Sequence, residues 1–199
     1  MKSKHILIVL LCLMGIMILA AVLFPQQLTE LLNRPVLYPH VLFAHILSVS
    51  LFFANAVAGM LWESRSLKSG NKDVILHTYR TVSWLDARFS SPLIILSVMT
   101  GIMLSIMWGD LWQIGWLSLA FLLFLFSGAV WVISDIPTQY KVKKLIAGVH
   151  PEDSALPREL LDLLKLRLWV SLAGVLPLLL VFILMVYKPE ITPVAEWFK

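Results

Sequence analysis

The sequence predicts an all-α membrane protein: five transmembrane helices in one bundle, with the N-terminus cytoplasmic and the C-terminus external. Three observations lead there. Of 199 residues, 59% are hydrophobic and only 14% charged, where soluble domains are about one-quarter charged. Mean hydropathy is +0.86. Five apolar stretches, at about 5–24, 40–62, 92–108, 114–134 and 168–187, approach or reach the roughly 20 residues that cross a bilayer. The whole chain, 1–199, reads as one transmembrane domain.

The first stretch follows a basic start, "MKSKH", and its apolar run exceeds the core of a signal peptide. No A-x-A site precedes "PQQ", and in "VLLC" at 9–12 Leu11 stands where a lipoprotein signal needs a small residue. The stretch is therefore expected to be a retained span. Cys12 is the single cysteine, so an intrachain disulfide and a multi-cysteine metal site are both excluded.

Lys and Arg set the orientation. They cluster at the N-terminus (Lys2, Lys4), in the loop 63–90 and in the loop 135–167. With the N-terminus inside, thirteen of the 16 basic residues are cytoplasmic. The turn after the third stretch holds none, only Asp110. The net charge of +4 thus reads as topology and contact with anionic lipid, and nucleic acid has no place. The implied surroundings are the lipid bilayer of an inner membrane, with a protein partner or a second copy of the chain left open. Tyr38, Trp108, Trp112, Trp116 and Tyr187 fall near the expected outer boundary, and Trp62, Trp84, Trp131 and Trp169 near the inner one.

Two segments between spans read as helical. In 71–91, Ile75, Tyr79, Val82 and Phe89 recur at helical spacing and lead into the third span, where Ser91 and Pro92 suit a helix start. Pro157 can open a helix that runs into the fifth span, and Pro177 predicts a kink there.

The second span, "LYPHVLFAHILSVSLFFANAVAGM", carries polar groups where hydrocarbon penalises them. His45, Ser48, Phe52, Asn55 and Gly59 form one helical stripe, which should face the bundle. For Ser48, Asn55 and Gly59 helix packing suffices as an explanation. His45 is the one ionisable side chain expected well inside the hydrocarbon, and such groups are functional candidates. Neutral imidazole is a common metal ligand, but a structural histidine bonded to a carbonyl is the equal alternative. In the third span Met99, Met103 and Met107 share a stripe with Thr100. At ~1.5 Å per residue, His45 lies about 9 Å deep from Pro39 and Met103 about 8 Å from Trp108. His with Met is a ligand pair for b-type haem, and thioether suits copper; methionine is also a common core filler. The candidate cofactor-binding residues are therefore His45 and Met103, with His45 as a metal ligand if the site holds copper instead of haem. No Asp, Glu, Lys or Arg sits centrally in a span, which argues against a proton relay or ion pathway. No catalytic set emerges.

The stretches "WLDARFSSPLIILSVMTGIML", "WQIGWLSLAFLLFLFSGAVWV" and "DIPTQYKVKKL" resemble a bacterial family of predicted integral membrane proteins, domain of unknown function 2269, over most of 40–147. That likeness implies a multi-pass membrane protein and no activity. "AHILSVSLFFANAVAGM" is similar to the first span of membrane protoporphyrinogen oxidases and copper-resistance D-type proteins, which implies a haem- or metal-associated role for His45. The oxidases also carry a lysine in a later span, and "GWLSLAFLLFLFSGAV" has none.

Overall fold

In long apolar stretches the backbone amides have no partner but the helix itself, and the chain is 86% helical with no strand among the described residues. The computed structural model describes residues 3–109, 111–150, 152–153 and 155–197. Lys2, Asp110 and Lys199, which enter the charge count, lie outside them.

Helix α1 (Ser3–Leu23) gives way at Phe24 to α2 (Pro25–Leu32), Pro25 opening the new helix. The segments Cys12–Ala21 and Gln26–Leu32 meet at 100°. After a 3₁₀ turn, Pro35–Leu37, helix α3 (Tyr38–Ser69) ends at Gly70, whose φ of +64° is the left-handed conformation glycine adopts without strain. Helix α4 (Lys72–Leu85) passes through Asp86–Ser90 into α5 (Ser91–Trp108). Helix α6 (Gly115–Val130) passes through Trp131–Asp135 into α7 (Ile136–Ala147), and α8 (Arg158–Tyr187) follows. Four helical runs are long and apolar enough to cross a membrane, and five if the bent α1–α2 pair counts as one.

Asp86–Ser90 and Trp131–Asp135 are both π-helical turns, and each lies just before a proline, Pro92 and Pro137. A proline has no N–H and its ring crowds the preceding turn's carbonyl. A widened turn moves that carbonyl aside, so the helix continues where an α-helix would break. Ser91 was expected to cap a helix start. Instead it is helical itself, and its hydroxyl donates to the Asp86 carbonyl at 2.8 Å. Helix α8 likewise runs from Arg158 through Pro177 without interruption.

The chain forms two compact units. One comprises Met1–Asn55, Leu85–Leu119 and Lys188–Lys199; the other comprises Ala56–Trp84 and Ala120–Tyr187. In the second, Ile75, Leu76 and Tyr79 of α4, Val142 and Ile146 of α7, and Leu160 and Leu164 of α8 make a closed apolar cluster. These are the inward faces of three amphipathic segments. On α8 the next turns reverse the pattern. Leu176, Leu179, Leu180, Ile183 and Val186 are exposed, a surface that hydrocarbon accepts and water does not. In the first unit, Trp108 donates from Nε1 to the Tyr38 hydroxyl at 3.2 Å. Trp116 meets Trp108 edge-on at 5.8 Å, and the Lys188 ammonium sits 4.0 Å from the Trp108 ring centroid. Gly115 leaves no room for a Cβ, because the Ile191 carbonyl fills that space.

Candidate functional site

His45 comes from the buried stripe of α3. Ser48 is buried and the opposite positions Phe43, Ile46 and Leu47 are exposed, so the helix turns the stripe inward. The His45 Nδ1 lies 3.1 Å from the Ser97 carbonyl and 3.0 Å from the Thr100 Oγ1. A carbonyl can only accept, so Nδ1 carries the proton and Nε2 is the unprotonated nitrogen. Thr100 is free to accept, because its own hydroxyl proton goes to the Leu96 carbonyl at 2.6 Å. Gly101 completes the seat: a Cβ there would stand 3.2 Å from His45 Cε1. The pair Thr100–Gly101 thus supplies one hydrogen-bond acceptor and one missing side chain, and both serve the imidazole.

Asn55 belongs to the same stripe and donates from Nδ2 to the Ser90 Oγ at 2.8 Å. In hydrocarbon such cross-helix bonds contribute about 0.6 kcal/mol on average. Met103, the proposed companion of His45, is half-buried on α5, one turn beyond Thr100. The groups the structure brings to the imidazole are Ser97, Thr100 and Gly101. Met99 of the same stripe is largely exposed. Among the described residues no group of three or more His, Cys, Asp or Glu side chains is placed to hold a metal ion.

The second unit holds a constellation that linear reading missed. Arg167 of α8 is 3% exposed, Glu63 of α3 is 2% and Asp135 of the π-turn is 6%. Arg167 Nη1 lies 2.9 Å from Glu63 Oε1, and Arg167 Nε 3.3 Å from Asp135 Oδ1. Gln139, one turn along α7, donates to the other Asp135 oxygen at 2.8 Å. Tyr79 of α4 packs its ring 5.6 Å from the guanidinium carbon. Three charged groups that stand at the ends of apolar stretches in the sequence are gathered out of water. The sequence places no Asp, Glu, Lys or Arg centrally in a span, and these three border the spans 40–62, 114–134 and 168–187; their burial and pairing are what it did not indicate. The signal in the sequence is slight: each borders an apolar stretch, Glu63 after "GMLW", Asp135 after "WVIS" and Arg167 before "LWV". Their helices continue past those points, so the charges are carried inward and must pair.

A helical chain with four or five membrane-length helices, apolar outward faces and polar groups buried in partnered sets is an integral membrane bundle. The chain belongs to the DUF2269 family of predicted integral membrane proteins, whose profile matches residues 39–189. No curated protein and no solved structure gives a significant match.

Proposed function

We propose that this is a multi-pass protein of a bacterial inner membrane, N-terminus cytoplasmic and C-terminus external, acting as a cofactor-free interaction or assembly factor. The observation that carries this reading is the His45 seat. Nδ1 is engaged by Ser97 and Thr100, and the Cε1 edge lies against Gly101. A ring held on two sides by α5 is explained as a tie between α3 and α5, with the hydroxyls and amides of the stripe as further ties. The apolar helix faces contact lipid directly, and the orientation rests on the thirteen basic residues assigned to the cytoplasmic side.

A second reading has its own observation. Histidines that ligate metals commonly donate their other ring N–H to a carbonyl, which orients the ring and raises its basicity. His45 does so toward Ser97, leaving Nε2 for a ligand. Met103, half-buried one turn beyond Thr100, would supply a thioether, a soft donor that suits haem iron or copper. The likeness of 44–60 to copper-resistance D-type proteins and protoporphyrinogen oxidases points the same way.

The two readings separate on purified protein. The chain, expressed with haem precursor and copper supplied and extracted in mild detergent, is expected to be colourless and metal-free. A Soret band, or stoichiometric copper lost in His45→Ala but kept in His40→Ala, would establish the second reading.

A further inference from the structure

In the first unit two hydrogen-bond donors meet on a single indole. Tyr38 opens α3, Trp108 closes α5, Trp116 lies in the first turn of α6 and Lys188 is the residue after α8. The Tyr38 oxygen accepts the Trp108 Nε1–H at 3.2 Å, which leaves its own O–H to donate. The Lys188 ammonium lies 4.0 Å from the centroid of the same indole and 5.6 Å from that of Trp116. An ammonium on a ring face keeps the hydrogens directed away from the ring for an acceptor. Among the described residues neither this ammonium nor the Tyr38 O–H has an acceptor, and Glu190, two residues along and exposed, makes no ion pair with Lys188.

A second observation concerns the backbone. Among the described residues Lys188 is the one non-glycine residue with a positive φ, +45°. This is the left-handed conformation just past a helix end, where glycine would be free of strain. Residues held in such conformations cluster at active sites and ligand clamps. The chain beyond Lys188 is itself pinned, because the Ile191 carbonyl fills the space beside Gly115.

Indole and phenol rings favour the headgroup level of a bilayer, where lipid phosphates supply the acceptors. We propose that Tyr38, Trp108, Trp116 and Lys188 form a binding site for the phosphate of an anionic lipid headgroup, with the Lys188 ammonium and the Tyr38 O–H as donors to its oxygens. Trp108 positions both donors: its Nε1–H orients the phenol and its face seats the ammonium. Lysine meets phosphate as a point charge, and the phenol adds direction. Lys188 already occupies the indole faces, so a headgroup that ends in its own ammonium is disfavoured against one that is simply anionic. His45 plays no part in this site.

Native mass spectrometry and thermal melting of the full chain in an uncharged detergent test it. The probes are phosphatidylglycerol, phosphatidylethanolamine, the matching diacylglycerol and inorganic phosphate. Phosphatidylglycerol is expected to stay bound and to raise the melting temperature. Diacylglycerol, without the phosphate, and inorganic phosphate, without the acyl chains, should do neither. The basic segments 63–90 and 135–167 attract anionic lipid in their own right. The readout is therefore the one tightly retained phosphatidylglycerol that Lys188→Ala removes and Lys165→Ala, at an exposed site elsewhere, does not. Losing a hydrogen bond to a charged group should weaken that binding about tenfold in Lys188→Ala. Lys188→Arg keeps a cation over the ring and should retain the lipid. Tyr38→Phe keeps its ring and should also weaken binding, so it reports even if Lys188→Ala fails to fold. Wild-type protein that retains phosphatidylglycerol no better than diacylglycerol overturns the proposal, as does equal retention in folded Lys188→Ala and Tyr38→Phe. Melting raised as much by inorganic phosphate would overturn it in favour of a free anion. Stronger retention of phosphatidylethanolamine would overturn it in favour of an ammonium ligand that displaces Lys188.

Discussion

Arg167 Nη1 and Glu63 Oε1 lie 2.9 Å apart with both side chains out of solvent, although the chain separates them by most of its membrane-length helices. Arg167 also reaches Asp135 through Nε, so one guanidinium holds α3, the π-turn before α7, and α8 together. Paired burial of this kind adds little net stability over a well-packed apolar trio, but breaking it strands the remaining charges. Arg167→Met should therefore destabilise the protein by about 3–5 kcal/mol. Arg167→Lys should recover only part of that, since one ammonium cannot reproduce a fork aimed at two carboxylates. Thermal melting in a single detergent checks both. Arg167→Met as stable as wild type would show that the cluster is hydrated.

The His45 seat makes a different prediction. Thr100→Val removes the hydroxyl acceptor and keeps the shape, so a loss of about 0.5–1.5 kcal/mol is expected. Gly101→Ala puts a methyl 3.2 Å from His45 Cε1, and the ring or α5 must yield. That strain should cost about 1 kcal/mol or more. His45→Ala relieves the clash, so His45→Ala combined with Gly101→Ala should be less destabilised than the sum of the two single changes. Strict additivity would show that the ring does not sit against Gly101.

Gly59 is buried in the second unit, where a Cβ would lie 3.4 Å from Val82 Cγ1, an ordinary contact. Gly59→Ala should be tolerated. Gly59→Leu has no such space and should cost about 1–3 kcal/mol through overpacking. Val57→Ala, on the other side of α3, should be the milder change. Detergent melts that rank Gly59→Leu with Val57→Ala would put this part of the stripe toward lipid.

Topology is checked with reporter fusions after residues 70, 111, 150 and 199. Cytoplasmic signals are expected at 70 and 150 and external ones at 111 and 199. Lys and Arg favour the cytoplasmic side, and they are concentrated in 63–90 and 135–167. A cytoplasmic signal at 111 would invert the assignment.

What the sequence determined by itself is everything set by local rules. Apolar runs of bilayer length force helices, because no other local structure satisfies the backbone in hydrocarbon. The stripe through His45, Ser48, Asn55 and Gly59 shows the inward face of α3, because helical periodicity places those residues on one side. The helical segment after 71 and the run from Pro157 into the last span were legible for the same reason. Prolines misled at Ser91, where a helix start was expected, because a π-turn lets the helix continue and no simple spacing rule announces one. Tertiary structure alone decided the partners. The imidazole of His45 is matched to Thr100 and Gly101 by the rotation of α5 about its axis, which periodicity leaves free. Glu63, Asp135 and Arg167 look like boundary charges one at a time. Only the approach of their helices removes them from water, and once removed their charges must be paired with each other.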